Sequence, residues 1–567
     1  MLTAALRDLH TSYPGEYLTD VRTPCPDLWL HNPYLTPLEV NEEGTELVEC
    51  SYPIIHQSNQ KPVHFLHGFS SHLGETLGVP LLPTEFRGDI HLSEQETSEE
   101  SAVARILGNE TPYWIVAAGG KYDYTIKWWH PERWQEVVDC FRGELLFVQV
   151  GEEGHFHPQL EGVLDLRGKT SIRDLVYLMH YAEGVLCPVT FLMHLAAAVE
   201  TRPGCPVLRP CVVIAGGREG PHWEAYPGHQ FLHRVGTLPC CSHGGCWRSR
   251  TVPLEDGDEK DNPNNLCVDV YKDMPHCMEM IAPKHVVSCI RDYIDGGACR
   301  QLTKSQFISA GEHLTGDPLV PVKQREHSRS SLLPDSRPSA AICVLLFGDY
   351  PQLAMRVFES IEEHVPRADR ELIVGANAIG AKTVELVDRL QHEGQIDSLI
   401  HSSQNVNKCT MMRRMLREVN AEYVWWFDDD SYIKSSSALM DRLCIAREAP
   451  QDTVMWGQAA FCESPSNFTS RSDVSGFVKT AHWCRGLRSP ADELSKEGQR
   501  WRFILGGGWF IRTSALRRLN WPDPRLRKEG DDVFLGEAIR QQGWKIQDIG
   551  ELGVSIDQER RRGDVGF

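Results

Sequence analysis

Five strand-forming residues, Tyr423-Val424-Trp425-Trp426-Phe427, run straight into three carboxylates, Asp428-Asp429-Asp430. The apolar run reads as a buried strand. Three adjacent acids cannot follow it into an apolar interior, because an unpaired carboxylate there is prohibitively costly. They belong where the strand leaves its sheet, with Asp428 and Asp430 on one side of the period-two pleat. Such a pair of hard oxygen ligands suits a divalent cation carrying a diphosphate; the alternative is a solvated acidic turn.

A chain of 567 residues has room for about three or four domains of ordinary size. Apolar runs alternate with helical segments on both sides of residues 301–338, a Ser-, Pro-, Arg- and Lys-rich stretch that reads as a linker. Before it come Val63–Leu66, Trp114–Ala117, Leu145–Val150, Gly184–Leu186 and Cys211–Ile214. After it come Ile342–Phe347, Leu372–Gly375 and the acidic strand. Strands alternating with helices predict an α/β protein with parallel, doubly wound sheets, which bind ligands at the carboxyl ends of their strands. A net charge of −20 argues against a broad basic surface for nucleic acid or anionic lipid. No apolar run approaches the roughly 18 residues of a membrane span, and the start of the chain lacks the basic and apolar parts of a signal peptide. Several of the 18 cysteines lie inside apolar runs, where free Cys behaves as a small hydrophobe. A reducing, cytoplasmic setting is therefore expected, and the Asn467-Phe468-Thr469 sequon is taken as chance.

Downstream of the acidic strand, Gly506-Gly507-Gly508 adjoins Trp509-Phe510, and Gly530-Asp531-Asp532-Val533 opens a helix pattern. Consecutive glycines let a backbone approach a ligand closely. Carboxylates in a first helical turn are stabilised by the helix dipole, and one of them can face a cleft as a base. Together with Ala341–Tyr350 and Asn405–Arg413, these motifs resemble, in order, the GT-A glycosyltransferases of the inverting family-two and fringe-like types, over about 339–567. That resemblance implies a nucleotide-diphospho-sugar donor contacted by Asp428, Asp429, Gly507 and Gly508. It also implies Mn2+ or Mg2+ bound chiefly through Asp430, with Asp428 nearby. Asp532 would deprotonate the acceptor hydroxyl for a single displacement, with Asp531 as the other candidate base. Relatives often supply a late histidine to the metal, but none follows His482; Asp557, before Arg560-Arg561-Arg562, is the replacement candidate.

The N-terminal half carries Gly119-Gly120-Lys121, Lys127-Trp128-Trp129, Pro131-Glu132-Arg133-Trp134, Gly168-Lys169-Thr170-Ser171 and Thr190-Phe191-Leu192-Met193-His194-Leu195-Ala196-Ala197-Ala198. A lysine after a strand is a point charge for phosphate, and a helix starting near Thr190 would aim free N–H groups at it. These elements resemble the ADP-heptose heptosyltransferases, a GT-B fold of two facing Rossmann-like domains. The resemblance implies that Lys127 contacts the donor diphosphate while Thr190 and His194 line the nucleotide pocket. Val189 stands where that family usually has Asp. The segment from Met1 matches the fold's first helix, so the first strand and its base-bearing loop are absent. The reading frame is accordingly expected to extend upstream by about 10–20 residues.

Cys240, Cys241, Cys246, Cys267 and Cys277 allow a tetrahedral thiolate site for zinc or iron, with buried free thiols as the alternative. Over about 10–295 they resemble the iron-finger of autotransporter heptosyltransferases. The expected architecture is thus a heptosyltransferase-like GT-B module at 1–300 (halves 1–105 and 106–300), the linker, and a GT-A domain at 339–567. The expected partners are a nucleotide-sugar donor and a glycan, protein or modified-base acceptor. Two alternatives stand beside this: a non-catalytic acceptor- or sugar-binding N-terminal half, and a GT-A half that glycosylates a hydroxymethylated DNA base.

Overall fold

The computed structural model describes residues 1–39, 43–50, 63–242, 244–316, 338–462, 478, 481–484, 501–523, 526 and 530–556. Two compact units make up the chain: 1–333 with 480–487, and 334–479 with 488–567.

In the first unit, β1 (Tyr113–Val116), β2 (Leu146–Gln149), β3 (Leu164–Asp165), β4 (Gly184–Pro188), β5 (Cys211–Gly216) and β6 (His229–His233) form one parallel sheet. Its order is β3-β2-β1-β4-β5-β6, a Rossmann-like arrangement. Alternation along β1 divides its side chains between two cores: Tyr113 and Ile115 pack on one face, Trp114 and Val116 on the other. A sheet buried on both faces requires continuous apolar strands, and these runs supply them. A short antiparallel pair, β7 (Val270–Tyr271) and β8 (Met274–Pro275), follows.

The segment at 63–66, expected as a strand, instead opens the helix Phe65–Leu77. His64 accepts a hydrogen bond from the Leu66 amide through Nδ1 and so caps it. Phe65, Leu66, Phe69 and Leu73 are buried at helical spacing, a pattern that a four-residue window cannot reveal. No strand of the sheet precedes residue 113 among the described residues. The expected linker also starts too early. Lys304–Gly311 is a helix capped by Thr303, and Leu302, Ala310 and Leu314 pack against the first unit's core.

The second unit holds β9 (Ala340–Gly348), β10 (Arg370–Ile379), β11 (Ser398–Ser402), β12 (Tyr423–Asp428), β13 (Ser431–Ile433), β14 (Thr453–Gly457), β15 (Ala459–Cys462), β16 (Trp501–Ile504), β17 (Phe510–Arg512), β18 (Lys545–Asp548) and β19 (Val554–Ile556). Seven of them form a mixed sheet, β11-β10-β9-β12-β17-β14-β18, with β12 parallel to β9 and antiparallel to β17. Trp425, Trp426 and Phe427 are wholly buried; a large side chain gains about 1.5–3 kcal/mol from such burial, which fixes β12 at the centre. Among the described residues, no helix is long and apolar enough to cross a membrane.

Candidate functional sites

In the second unit, β12 ends at Asp428, whose neighbour in register is Leu345 of β9. The period-two expectation stops there, because Asp429 and Asp430 lie in the turn to β13. The redirected backbone nonetheless keeps Asp430 buried, with Asp428 at the burial margin. The Trp426 indole N–H donates to Asp428 Oδ1 at 3.2 Å.

Lys408, not singled out by the sequence, organises this cluster. Its Nζ donates to Asp428 Oδ2 at 3.4 Å and stands 3.2 Å from Asp531 Oδ2. Burial opposes its charge, yet Asp428, Asp531 and Asp532 hold the ammonium well above the usual lysine range. A ladder of asparagines puts it there. Asn377 donates to Asn405 Oδ1 at 3.2 Å, and the same oxygen accepts from the Asn407 amide at 2.8 Å. Asn407 sits at φ 70, ψ 153, a region nearly confined to glycine, immediately before the helix Lys408–Leu416.

Asp531 and Asp532 open the helix Asp531–Gln541 behind Gly530, as the sequence predicts. Burial, then the Asp531 charge, pushes the Asp532 carboxyl well above the usual range, against the pull of Lys408. The Gly506 amide donates to Asp532, and a Cβ at Gly506 would lie 2.7 Å from Asp532 Oδ2. A Cβ at Gly507, where φ is +85°, would meet Ser431 Oγ at 2.6 Å; Gly508 is close to Val554. Trp509 stacks on Trp426 with centroids 5.4 Å apart, tying the glycine loop to the acidic strand. The structure thus brings the glycine loop, Asp428 and the Asp531-Asp532 pair to one place. Asp557, Arg560–Arg562 and the sequon lie outside the described residues.

No group of three or more His, Cys, Asp or Glu side chains stands ready to hold a metal among the described residues. For a Mg2+- or Mn2+-type ion this is no misfit, since one or two carboxylates plus substrate phosphates complete its shell. Asp428 and Asp430 supply hard oxygen donors of that kind.

In the first unit, Lys127 ends the helical turn Tyr122–Lys127 beyond β1. Its Nζ donates to the Val189 carbonyl at 3.2 Å and pairs with Glu219 Oε1 at 3.0 Å. Burial, then the Arg218 charge, brings its ammonium down to about 7. Thr190 is the N-cap of the helix Phe191–Ala198; its Oγ1 makes no capping bond and has no protein partner. His194 Nδ1 is 2.8 Å from the Tyr226 hydroxyl and Nε2 is 3.8 Å from Glu224 Oε2. Burial lowers the imidazole to about 3, so it is neutral at physiological pH. Gly119, at φ +85°, follows β1 where a Cβ would strike the Phe156 carbonyl at 2.0 Å.

Arg218, Glu219 and Glu224 went unnoticed in the sequence. The signal was present: a charged pair flanked by Gly216-Gly217 and Gly220 at the carboxyl end of a fully buried strand.

The cysteines do not form the expected metal knuckle among the described residues. They are neighbours: burial, then Cys241, Cys246 and Cys267, raises the Cys240 thiol to about 11. Burial likewise raises Cys246, Cys267 and Cys277. Protonated thiols donate, and here they donate to backbone: Cys241 Sγ to the Arg234 carbonyl at 3.3 Å and Cys267 Sγ to the Asp269 carbonyl at 3.3 Å.

Residues 73–203, within the first unit, match the family model "Glycosyltransferase family 9 (heptosyltransferase)". Among solved structures, the chain is similar to a mannosyltransferase from Pyrobaculum calidifontis in complex with GDP-Man and Mn2+, at 16% identity, 39% of this chain, 56% of that one and TM-score 0.28. It is also similar to E. coli ADP-heptose LPS heptosyltransferase II, at 14% identity, 40% of this chain, 61% of that one and TM-score 0.26. A third is a glycosyl transferase family 9 structure from Veillonella parvula, at 17% identity, 33% of this chain, 57% of that one and TM-score 0.23. The chain therefore spans 56%, 61% and 57% of these three structures. No curated protein matches it.

Proposed function

We propose that the chain is a glycosyltransferase with two nucleotide-sugar sites, and that the second unit performs an inverting transfer onto an acceptor hydroxyl. The observation that carries this reading is the convergence of Asp428, Lys408 and the Asp531-Asp532 pair beneath the Gly506–Gly508 loop. Asp532 takes the proton of the acceptor hydroxyl as its oxygen attacks the anomeric carbon; the sugar's bond to the diphosphate breaks, and the nucleoside diphosphate leaves. The raised carboxyl makes Asp532 a stronger base once ionised, closer to the range in which general bases work well. Trp426 and Lys408 fix Asp428 from both oxygens, while the bare glycine backbone admits the donor. Asp428 and Asp430 would hold Mn2+ or Mg2+, which supplies positive charge for the departing diphosphate.

The first unit takes an ADP-sugar-type donor, with Lys127 on the diphosphate and Thr190 and His194 beside the nucleotide. The neutral His194 acts there as a hydrogen-bonding group. A binding-only role for this unit is the second reading, favoured because burial lowers the His194 imidazole to about 3 and so leaves it a weak base. The cysteines whose side chains are described are free, which fits a reducing compartment such as the cytoplasm. The test is a nucleotide-sugar hydrolysis and transfer screen of the full chain and of Asp532→Asn. A donor that is turned over by the wild type and only bound by the variant supports the reading. Equal turnover by both contradicts it.

A further inference from the structure

We propose that Arg218 and Lys127 form a two-cation clamp for the diphosphate of a nucleotide ligand, and that the cysteine-rich segment serves to build it by carrying Trp247 against Arg218. This rests on the reading of the first unit as a nucleotide-sugar site, and adds to it a second cation and a role for the 240–248 segment.

The two cations come from beyond the carboxyl ends of two strands of one sheet, Lys127 after β1 and Arg218 after β5, with β4 between those strands. Both reach the same oxygen: Lys127 Nζ lies 3.0 Å from Glu219 Oε1, and Arg218 Nη1 also pairs with it. Both also flank one ring, with Lys127 Nζ 5.5 Å and the Arg218 guanidinium 5.0 Å from the Tyr124 centroid. A guanidinium and an ammonium converging on one oxygen is the arrangement that binds bridging phosphate oxygens.

Arg218 is held rather than loose. Its Nε donates to the Arg248 carbonyl at 2.7 Å, and its other face lies 5.4 Å from the Trp247 centroid. The backbone of the cysteine-rich segment is laced to the same loop: the Cys246 amide donates to the Gly217 carbonyl at 3.1 Å and the Trp247 amide to the Arg218 carbonyl at 3.3 Å. Gly245, at φ +132°, permits this approach, since a Cβ there would meet the Arg218 carbonyl at 2.3 Å. The thiols of that segment thus pack a scaffold whose product is the placement of one indole and one guanidinium.

A second observation points to a ligand. Glu219 is 3% exposed, and its Oε2 has no hydrogen-bond partner. A buried carboxylate oxygen left unpaired is costly, and a hydroxyl of the nucleotide or sugar would satisfy it while the diphosphate engages the cations. Trp247 Nε1 and Thr190 Oγ1 are likewise buried without partners. Glu224 is the other carboxyl within range of both cations, and burial raises it toward its neutral form, so it opposes an anion less than its position suggests.

The test uses the full chain, with inorganic pyrophosphate and ADP as probes in calorimetric titrations. Arg218→Met should weaken both by about tenfold to a hundredfold, the scale of a lost charged hydrogen bond. Arg218→Lys should restore part of that loss. Glu219→Gln removes one negative charge beside both cations and should tighten pyrophosphate several-fold. Opposite signs for Arg218→Met and Glu219→Gln are the signature, because an ion pair that only holds the fold would weaken binding in both variants and lower both melting temperatures. That joint weakening overturns the clamp. So does unchanged pyrophosphate affinity in a folded Arg218→Met protein in which Lys127→Met has lost it; the nucleotide-site reading would then survive alone. Absence of binding by the wild type to either probe removes both.

Discussion

On the proposed reading, the acidic cluster of the second unit and the cationic cluster of the first approach the same ligand chemistry from opposite signs. At the first, carboxylates from the end of β12 and from a helix start crowd one lysine. Such a site meets a diphosphate only by recruiting a cation. At the second, Lys127 and Arg218 are built in, and one glutamate stands between them. Under the proposal, the two sites differ in where their positive charge comes from, and each source has its own dependence on metal, pH and mutation.

The largest expected effect separates the two sites by metal. Chelation, or Asp430→Ala, should abolish transfer by the second unit and leave pyrophosphate binding by the first within about twofold; metal-independent transfer would break the comparison. Next, Asp532→Asn should lower turnover by about 10²–10⁴-fold while donor affinity holds, since an amide cannot accept the proton. Parallel loss of affinity and turnover would reassign Asp532 to binding. A smaller effect concerns pH. Lys127 titrates at about 7, far below an ordinary lysine, so its charge is present below that pH and lost above it. Pyrophosphate binding by the first unit should therefore weaken, on the order of tenfold, as pH rises from 6 to 8, and Lys127→Met should flatten that profile. The smallest effect is at Asn407, whose φ of 70 suits glycine. Asn407→Gly should stabilise the second unit by up to about 1 kcal/mol, read as a higher melting temperature.

Apolar runs predicted the sheets well wherever a strand is buried on both faces, as at Tyr113–Val116 and Tyr423–Asp428. They misled at 63–66, where three apolar residues flank His64, the cap that starts a helix. The acidic strand, glycine loop and Asp531-Asp532 pair were legible because each is a local pattern. Lys408 was not, because its meaning depends on three carboxylates twenty or more residues away in sequence, and on an asparagine ladder that no short window contains. Arg218 was hidden likewise: it meets Lys127 and Tyr124 of one turn after β1, and Trp247 of a segment far along the chain from that turn. The cysteines looked like ligands in one dimension; in three, Cys241 and Cys267 donate hydrogen bonds to backbone carbonyls.

The most direct test of two nucleotide sites with opposite charge logic is a calorimetric count of ADP, UDP and GDP binding to the full chain, with and without Mn2+, in the wild type, Asp430→Ala and Lys127→Met. The account predicts two sites in the wild type: one that requires Mn2+ and disappears in Asp430→Ala, and one that ignores Mn2+ and disappears in Lys127→Met. A single site, or two sites that both vanish on chelation, would contradict it.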